Sequence, residues 1–174
     1  RVVHRDNLGK TALNLGVAYL RTRNYLEDAL LTTSSHRLSE LQLGVNRGRR
    51  LGNAFVNLDV GWQQGIGAFD AQSDDVSGAG QPVARYDKYS LTASYLQPFE
   101  LLGQRLSVDS LLSGQYSSDV LFSPQRISLG GLASVRGFKD QSLSGDSGYY
   151  WRSNLRWQYP ISNPQVRPWL SQLG

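Results

Sequence analysis

The sequence predicts an all-β fold in which antiparallel strands cross a lipid bilayer as part of a transmembrane β-barrel. Three observations support this prediction. Apolar and polar residues alternate along several segments, as in strands with one lipid-facing and one water-facing side. These segments are roughly 9 to 12 residues long, which suits a tilted strand that spans a bilayer better than a soluble strand. Short and long connections alternate between them, as in outer-membrane barrels.

About seven strands follow from the alternation. In the segment 54–62, Val56, Leu58 and Val60 share one side, whereas Asn57 and Asp59 share the other. The regular predicted strands are 11–19, 38–46, 54–62, 89–95 and 150–159; a less regular strand spans 105–116, and a last one begins at about residue 166. We therefore expect residues 1–174 to form one partial barrel domain.

The segment 150–159 predicts which residues face the barrel lumen. Trp151, Leu155 and Trp157 fall on the lipid side, and the polar residues between them fall on the other side: Arg152, Asn154, Arg156 and Gln158. A soluble sandwich would place aliphatic residues at such inner positions, so it is the less favoured alternative. The polar residues could form a hydrated, mildly cationic path for an extended polypeptide, or simply a solvated wall.

The connections assign the two ends of the barrel. The short ones are predicted at 47–52, 97–104 and 160–165, and the long ones at 22–37, 65–87 and 117–147. Short turns of outer-membrane barrels are periplasmic and long loops are extracellular. Arg47, Arg49 and Arg50 then fall in a periplasmic turn, where they could contact anionic lipid head groups or serve solubility alone.

Composition excludes several other classes of protein. The chain has 174 residues, a formal net charge of +4, no cysteine, and two histidines, His4 and His36. We predict no metal site and no cofactor, because thiolate ligands and a histidine cluster are missing. The spacing of Asp70, Asp74 and Asp75 lacks the calcium-loop pattern. Catalytic signatures and nucleic-acid recognition motifs are also missing, so we expect no catalytic residues, no enzyme activity and no nucleic-acid partner.

The long loop 117–147 contains the most informative stretch, ISLGGLASVRGFKDQSLSGDSGYY at 127–150. Gly130 and Gly131 permit a sharp reversal of the backbone, so we assign them as the loop hinge. The residues Val135, Arg136, Gly137 and Phe138 lie between two glycine-rich halves. Because a guanidinium is always charged and binds a carboxylate in fork geometry, a folded-back loop would place Arg136 against an acidic partner.

This VRGF stretch resembles the signature loop of the two-partner secretion transporters, the haemolysin secretion-activation proteins of bacterial outer membranes. Other matching segments run nearly end to end: VVHRDNLGKT at 2–11, RTRNYLED at 21–28, YDKYSLTASYLQPFELLGQRL at 86–106, SSDVLFSPQRISLGG at 117–131 and SLSGDSGYYWRSNL at 142–155. The resemblance implies a 16-stranded barrel. It also implies that Val135, Arg136, Gly137 and Phe138 form a latch within the lumen, with Arg136 paired to an acidic residue of the inner wall.

The resemblance further implies a function. Family members export an unfolded partner exoprotein, such as a haemolysin, an adhesin or a contact-dependent toxin, from the periplasm to the cell surface without ATP. The expected partners are this exoprotein and the lipid bilayer. The periplasmic POTRA domains, the plug helix and the acidic partner of Arg136 are expected outside this chain; Asp59 and Asp109 are weaker candidates for that partner.

Two other functions fit the same fold. A barrel assembly or insertion factor of the same superfamily would share the loop, and the number of POTRA domains would distinguish it. A diffusion porin would let small solutes pass with a steep size cutoff and would export no protein.

Overall fold

The computed structural model describes residues 1–30, 35–74, 78, 80–130, 134 and 142–158. In this part of the chain the strands are β1 (Val2–Arg5), β2 (Gly9–Thr22), β3 (Tyr25–Leu26), β4 (Ala29–Leu30), β5 (His36–Leu51), β6 (Ala54–Gly65), β7 (Asp87–Leu101), β8 (Gln104–Tyr116), β9 (Ile127–Leu129), β10 (Leu143–Gly145) and β11 (Gly148–Gln158). Seven of them form one antiparallel sheet in the order β1-β2-β5-β6-β7-β8-β11. No helix of the described residues is long and apolar enough to cross a membrane.

The two faces of this sheet differ in polarity. On one face, which we call the apolar face, large hydrophobic side chains pair across strands and are exposed, with Leu15 at 69% and Trp151 at 71%. Its cross-strand pairs include Leu15–Leu43, Val60–Leu91 and Leu112–Trp151. One row across the opposite polar face runs through Asn46, Asp59, Thr92 and Ser113. A sheet with an exposed apolar face of this extent needs a nonaqueous neighbour.

The connections confirm the predicted alternation. The pairs β1–β2, β5–β6 and β7–β8 are joined by turns of two or three residues, whereas the connections 23–35, 66–86 and 117–147 are long. Because consecutive strands are antiparallel, all the long connections lie at one end of the sheet and all the turns at the other. The short hairpins β3–β4 and β9–β10 lie within two of the long connections.

The predicted turns at 47–52 and 97–104 are too long. The strand β5 continues to Leu51, so Arg47, Arg49 and Arg50 lie in a strand and not in a turn. Likewise, β7 continues to Leu101, and its turn consists of Leu102 and Gly103, both at positive φ (52° and 73°). Two residues with positive φ suffice to join antiparallel strands, so the strands extend into segments whose composition resembled loops.

The first strand was not predicted. The four-residue strand β1 pairs with β2 from Val2–Leu13 to Arg5–Lys10. The turn that follows is fixed by Asp6, whose Oδ1 accepts the backbone N–H groups of Leu8 (2.8 Å) and Gly9 (2.7 Å). These two bonds lower the pKa of the Asp6 carboxyl below its ordinary value. The predicted connection 160–165 and the predicted strand from residue 166 lie outside the described residues.

Most of the buried residues lie at the long-loop end of the sheet, and Ala12 and Ala54 are buried toward the short-turn end. At the long-loop end Leu38 and Leu121 are fully buried, and Ala84 and Tyr86 are nearly so. These residues belong to β5 and to the two long connections 66–86 and 117–147. Most of the packing therefore occurs where these connections fold against the sheet, and this arrangement positions the site described next.

Candidate functional site: the polar face and the loop stem

A network of amide and carboxylate groups lies on the polar face between β5 and β6. Asn46 Nδ2 donates to Asn57 Oδ1 (3.0 Å) and to Asp59 Oδ1 (2.7 Å), and Asn57 Nδ2 donates to Asp59 Oδ2 (2.7 Å). Asn46 and Asp59 are opposite each other in the strand register. Both oxygens of the Asp59 carboxylate are thus engaged, which fixes the direction of this charge on the wall.

A second charged cluster joins β8 to β11. Asn154 Nδ2 donates to Asp109 Oδ2 (2.7 Å), and Arg156 Nη2 lies 3.0 Å from Asp109 Oδ1. Asn154 and Asp109 are opposite each other in register. Since the Arg156 side chain is 66% exposed, this ion pair adds little stability. It orients the guanidinium along the wall instead.

The structure places all four of the residues predicted to face the lumen on the polar face of β11. They alternate along the strand with the exposed apolar residues Trp151, Leu155 and Trp157. In register, Gln158 lies opposite Arg105 and Arg152 opposite Leu111; the complete set is Arg152, Asn154, Arg156 and Gln158. That this face lines the lumen of a closed barrel stays a prediction, because the described sheet is open.

The two clusters border one concave hollow. It has a volume of about 700 Å³ and lies toward the short-turn end of the sheet. Its wall includes Asn57, Asp109 and Arg156, together with Lys10 and Arg50. Positive, negative and amide groups are all present, so the wall can hydrogen-bond to both the N–H and the C=O groups of an extended peptide.

The first part of the long loop 117–147 folds back onto the polar face. We call residues 121–129 together with 143–147 the loop stem. Lys88 Nζ on β7 donates to Gln125 Oε1 (2.8 Å) and Gln125 O (3.4 Å), and Gln115 Nε2 on β8 donates to the same backbone oxygen (2.9 Å). The ring of His36 stacks on that of Phe122, with centroids 5.0 Å apart. Because Lys88 and Gln125 are both buried, the stem is held tightly against the wall.

The two arms of the stem are also tied to each other. Asp146 Oδ1 accepts the N–H of Leu121 (2.9 Å) and the Nε–H of Arg126 (3.1 Å). Ile127–Leu129 and Leu143–Gly145 then pair as a short antiparallel ladder. The two described arms of the connection therefore form a hairpin stem that is closed at its base.

A third contact draws the connection 66–86 to the same region. Tyr86 is 2% exposed, and its hydroxyl donates to Oε1 of Glu40 (2.5 Å), whose Oε2 accepts from Gln42 Nε2 (3.0 Å). Burial, and then the hydrogen bond to the Glu40 carboxylate, raise the pKa of the Tyr86 hydroxyl above its ordinary value. The phenol thus stays protonated and keeps donating to the carboxylate.

The predicted latch lies outside the described residues, and this applies to Val135, Arg136, Gly137 and Phe138 and to the hinge residue Gly131. The other hinge residue, Gly130, has a φ of 147°, a conformation that favours glycine. Ser134 Oγ bridges the Gly130 N–H (2.6 Å) and C=O (2.8 Å) groups. The two weaker candidates for the acidic partner of Arg136, Asp59 and Asp109, already have the neighbours described above.

Sequence reasoning missed the residues that anchor the loop. Glu40 and Lys88 are 4% and 7% exposed. Both lie on the polar face, Glu40 within the predicted strand 38–46 and Lys88 just before the predicted strand 89–95. Their position near the long-loop ends of the strands could have identified them, because a charged side chain there can contact a long loop that folds back onto the sheet. Within the described part of the chain, no group of three or more His, Cys, Asp and Glu residues could hold a metal ion.

These features define the class of protein. Long antiparallel strands with one exposed apolar face, one polar face and a loop stem over the polar face form part of an outer-membrane β-barrel. The chain belongs to the haemolysin secretion/activation ShlB/FhaC/HecB family, whose model matches residues 1–171. It is therefore a protein of the bacterial outer membrane, and the fold class predicted from the sequence is confirmed.

Similar proteins agree with this assignment. The chain is 38% identical over 159 residues to the outer membrane transporter CdiB of Dickeya dadantii (strain 3937), covering 91% of this chain and 28% of the relative. It is 30% identical to the hemolysin transporter protein HpmB of Proteus mirabilis, covering 90% and 28%. The structure of CdiB from Escherichia coli matches with a TM-score of 0.83 and 35% identity, covering 93% and 30%. The chain thus spans less than a third of the length of these relatives.

Proposed function

We propose that this chain forms part of a pore that exports an unfolded partner exoprotein from the periplasm to the cell surface without ATP. The observation that carries the proposal is the loop stem, which is fastened to the polar face through Lys88 and Gln125. A loop folded over a polar wall suits a pore whose passage is shaped by that loop. The family supports a role in secretion rather than in catalysis.

The polar face would act as a weakly binding wall. An extended polypeptide offers unpaired N–H and C=O groups along its whole length. The amide groups of Asn46 and Asn57, the Asp59 carboxylate and the Arg156 guanidinium can each replace water at these groups. Exchange of protein–water for protein–protein hydrogen bonds changes the free energy only modestly. The substrate would therefore stay solvated and move on without being trapped.

The loop tip would act as the latch. The ion pair between Asp146 and Arg126 closes the base of the stem, and the two arms lead into the segment that contains Arg136. Val135, Gly137 and Phe138 would shape and pack the tip around Arg136. In this proposal Arg136 pairs with an acidic residue on the inner wall and so holds the tip in the passage.

A secretion assay on the full-length transporter tests the proposal. We expect Arg136→Ala to lower export of the partner exoprotein about tenfold, because a charge-assisted pair of this kind is worth at least that factor in an equilibrium. Arg85→Ala is the matched control, since it removes the same charge from an exposed position in another long connection. Heat-modifiable migration on gels shows whether each variant has inserted. Unchanged export by a correctly inserted Arg136→Ala variant would contradict the latch.

A further inference from the structure

Three arginines gather at the long-loop end of β2 and β5. Arg21 on β2 lies directly opposite Arg37 on β5 in the register, and Arg23 follows the end of β2. Arg21 and Arg37 occupy the phase of the apolar face, two residues beyond Tyr19 and Ser39. We call Arg21, Arg23 and Arg37 the arginine rim.

The rim borders a second hollow at the long-loop end of the sheet, where Thr22 and His36 of the polar phase also reach. This hollow has a volume of about 300 Å³, and its wall consists of the three arginines with Thr22, Ser35, His36 and Gln72. Gln72 Oε1 accepts the backbone N–H of Arg37 (3.1 Å), which leaves the side-chain NH2 group of Gln72 as a donor. The described wall of the hollow thus offers guanidinium, amide and hydroxyl donors and contains no carboxylate.

The charges of the rim are only partly balanced. Like charges directly opposite each other on neighbouring strands destabilise a sheet, yet Arg21 and Arg37 are such a pair. Asp70 Oδ2 accepts from Arg37 Nη1 (2.7 Å), but both side chains of this ion pair are largely exposed, at 70% and 42%. Among the ion pairs of the described residues, one carboxylate, that of Asp70, faces the three guanidinium groups of the rim, which leaves a positive excess. An anion with several oxygens would relieve the repulsion, and guanidinium groups bind phosphate in fork geometry.

The position of the rim indicates where this anion comes from. Tyr19, Trp62 and Tyr89 lie on the apolar face near the long-loop ends of their strands, as in the aromatic girdle at a membrane interface. Arg21 lies two residues beyond Tyr19, a rise of about 7 Å along a strand. That distance carries the guanidinium from the girdle into the layer of lipid head groups.

We propose that the arginine rim binds a phosphate group of lipopolysaccharide in the outer leaflet of the outer membrane. The proposal rests on the orientation used in the proposed function, in which the long connections face the cell exterior. The outer leaflet there consists of lipopolysaccharide, whose lipid A moiety carries phosphate groups on its sugar backbone. Arg21 and Arg23 hold the phosphate, Arg37 remains tied to Asp70 beside it, and the acyl chains lie along the apolar face.

The test measures lipid A bound to the purified full-length transporter. In the variant Arg21→Gln/Arg23→Gln the Arg37–Asp70 pair is kept, so the connection 66–86 stays anchored. The matched control is Arg1→Gln/Arg5→Gln, which removes the same charge from exposed positions at the opposite end of the sheet. Native mass spectrometry of each protein titrated with lipid A gives the affinity. We expect the rim variant to bind about tenfold more weakly or worse and the control to bind like the wild type.

Further arms identify the source of the phosphate. Dephosphorylated lipid A is expected to bind the wild type as weakly as lipid A binds the rim variant. Inorganic phosphate at an equal concentration is expected not to displace lipid A. Equal binding of lipid A to the wild type and to the rim variant would overturn the proposal, and so would binding of inorganic phosphate alone.

Two further measurements separate this proposal from the proposed function. An epitope inserted in the connection 66–86 and labelled on intact cells reports the orientation; an epitope hidden from the outside would overturn both ideas. Export of the exoprotein, measured in parallel, reports the pore. Loss of lipid A binding with normal export supports the rim, because the rim lies outside the passage.

Discussion

At the scale of single residues, the buried ammonium group of Lys88 controls the loop. Burying a charge is costly unless hydrogen bonds replace its water. Here the side chain and the backbone oxygen of Gln125 replace part of that water. The contact is specific, since the ammonium group gains its acceptors only when the loop stem lies against the polar face. A charged residue on the wall thereby selects one position of the loop.

Gln125→Leu should therefore loosen the loop stem. The substitution removes the nearer acceptor of Lys88 (2.8 Å) and leaves a buried donor unsatisfied, which costs about 1 to 3 kcal/mol. Hydrogen exchange of residues 117–129 in the full-length transporter should become faster.

Gln125→Glu is the matched variant, because it keeps an acceptor oxygen at the same position. It should exchange as slowly as the wild type. Equal exchange in all three proteins would show that Lys88 does not hold the stem.

At the scale of structural elements, the close approach of β6 to the returning connection 66–86 decides how that connection docks. Gly65 ends β6, and its N–H donates to Tyr86 O (2.9 Å). A Cβ atom at Gly65 would lie 2.0 Å from the backbone oxygen of Ala84. Only a residue without a side chain permits this contact, which places the Tyr86 hydroxyl beside Glu40.

Gly65→Ala should displace the end of this connection. The backbone of residues 84–86 must move, and overpacking of this kind costs about 1 to 3 kcal/mol. Gly16→Ala is a matched control, because a Cβ there lies 3.9 Å from its nearest neighbour, Gln42 Oε1. Protease sensitivity of the connection in the full-length protein should rise for Gly65→Ala alone. Similar sensitivity of the two variants would show that the close approach is unimportant.

The same elements show what alternation can and cannot predict. The alternation correctly predicted which side chains of each regular strand lie on the apolar face. A polar residue on the lipid side is costly, and a period of two residues leaves a strand only two faces to choose between. The strand ends were not. Arg47 and Arg49 looked like turn residues, yet they belong to β5 and lie opposite Leu58 and Val56 of β6. The strand Val2–Arg5 was missed because four residues give too little alternation to recognise.

The candidate site was predictable only in part for a related reason. Arg152 and Asn154 could be placed on the polar face from the phase of one strand. The contact between Lys88 and Gln125 joins residues 37 positions apart through a loop without periodicity. No local pattern encodes such a pair. The alternation along the strand could show only that the Lys88 side chain lies on the polar face.

At the scale of the whole molecule, the sheet is held together by its strand pairing more than by a core. Its apolar face is exposed, and most of its buried residues lie near the long connections. Within the described residues, β1 and β11 each pair with a neighbour on one side only. In a bilayer, an unpaired strand edge leaves N–H and C=O groups without water, and each such group costs several kcal/mol.

The 174-residue chain produced alone should therefore fail to form a compact, inserted barrel. Refolded in detergent, it should run on gels without a heat-modifiable band and should associate as its concentration rises, because the edges of β1 and β11 can pair with another copy. The full-length transporter, refolded under the same conditions, is the control and should give a heat-modifiable monomer. If the short chain also gave a compact heat-modifiable monomer, its edges would have to be closed within the chain itself, and the assignment of these strands to part of a larger barrel would be wrong.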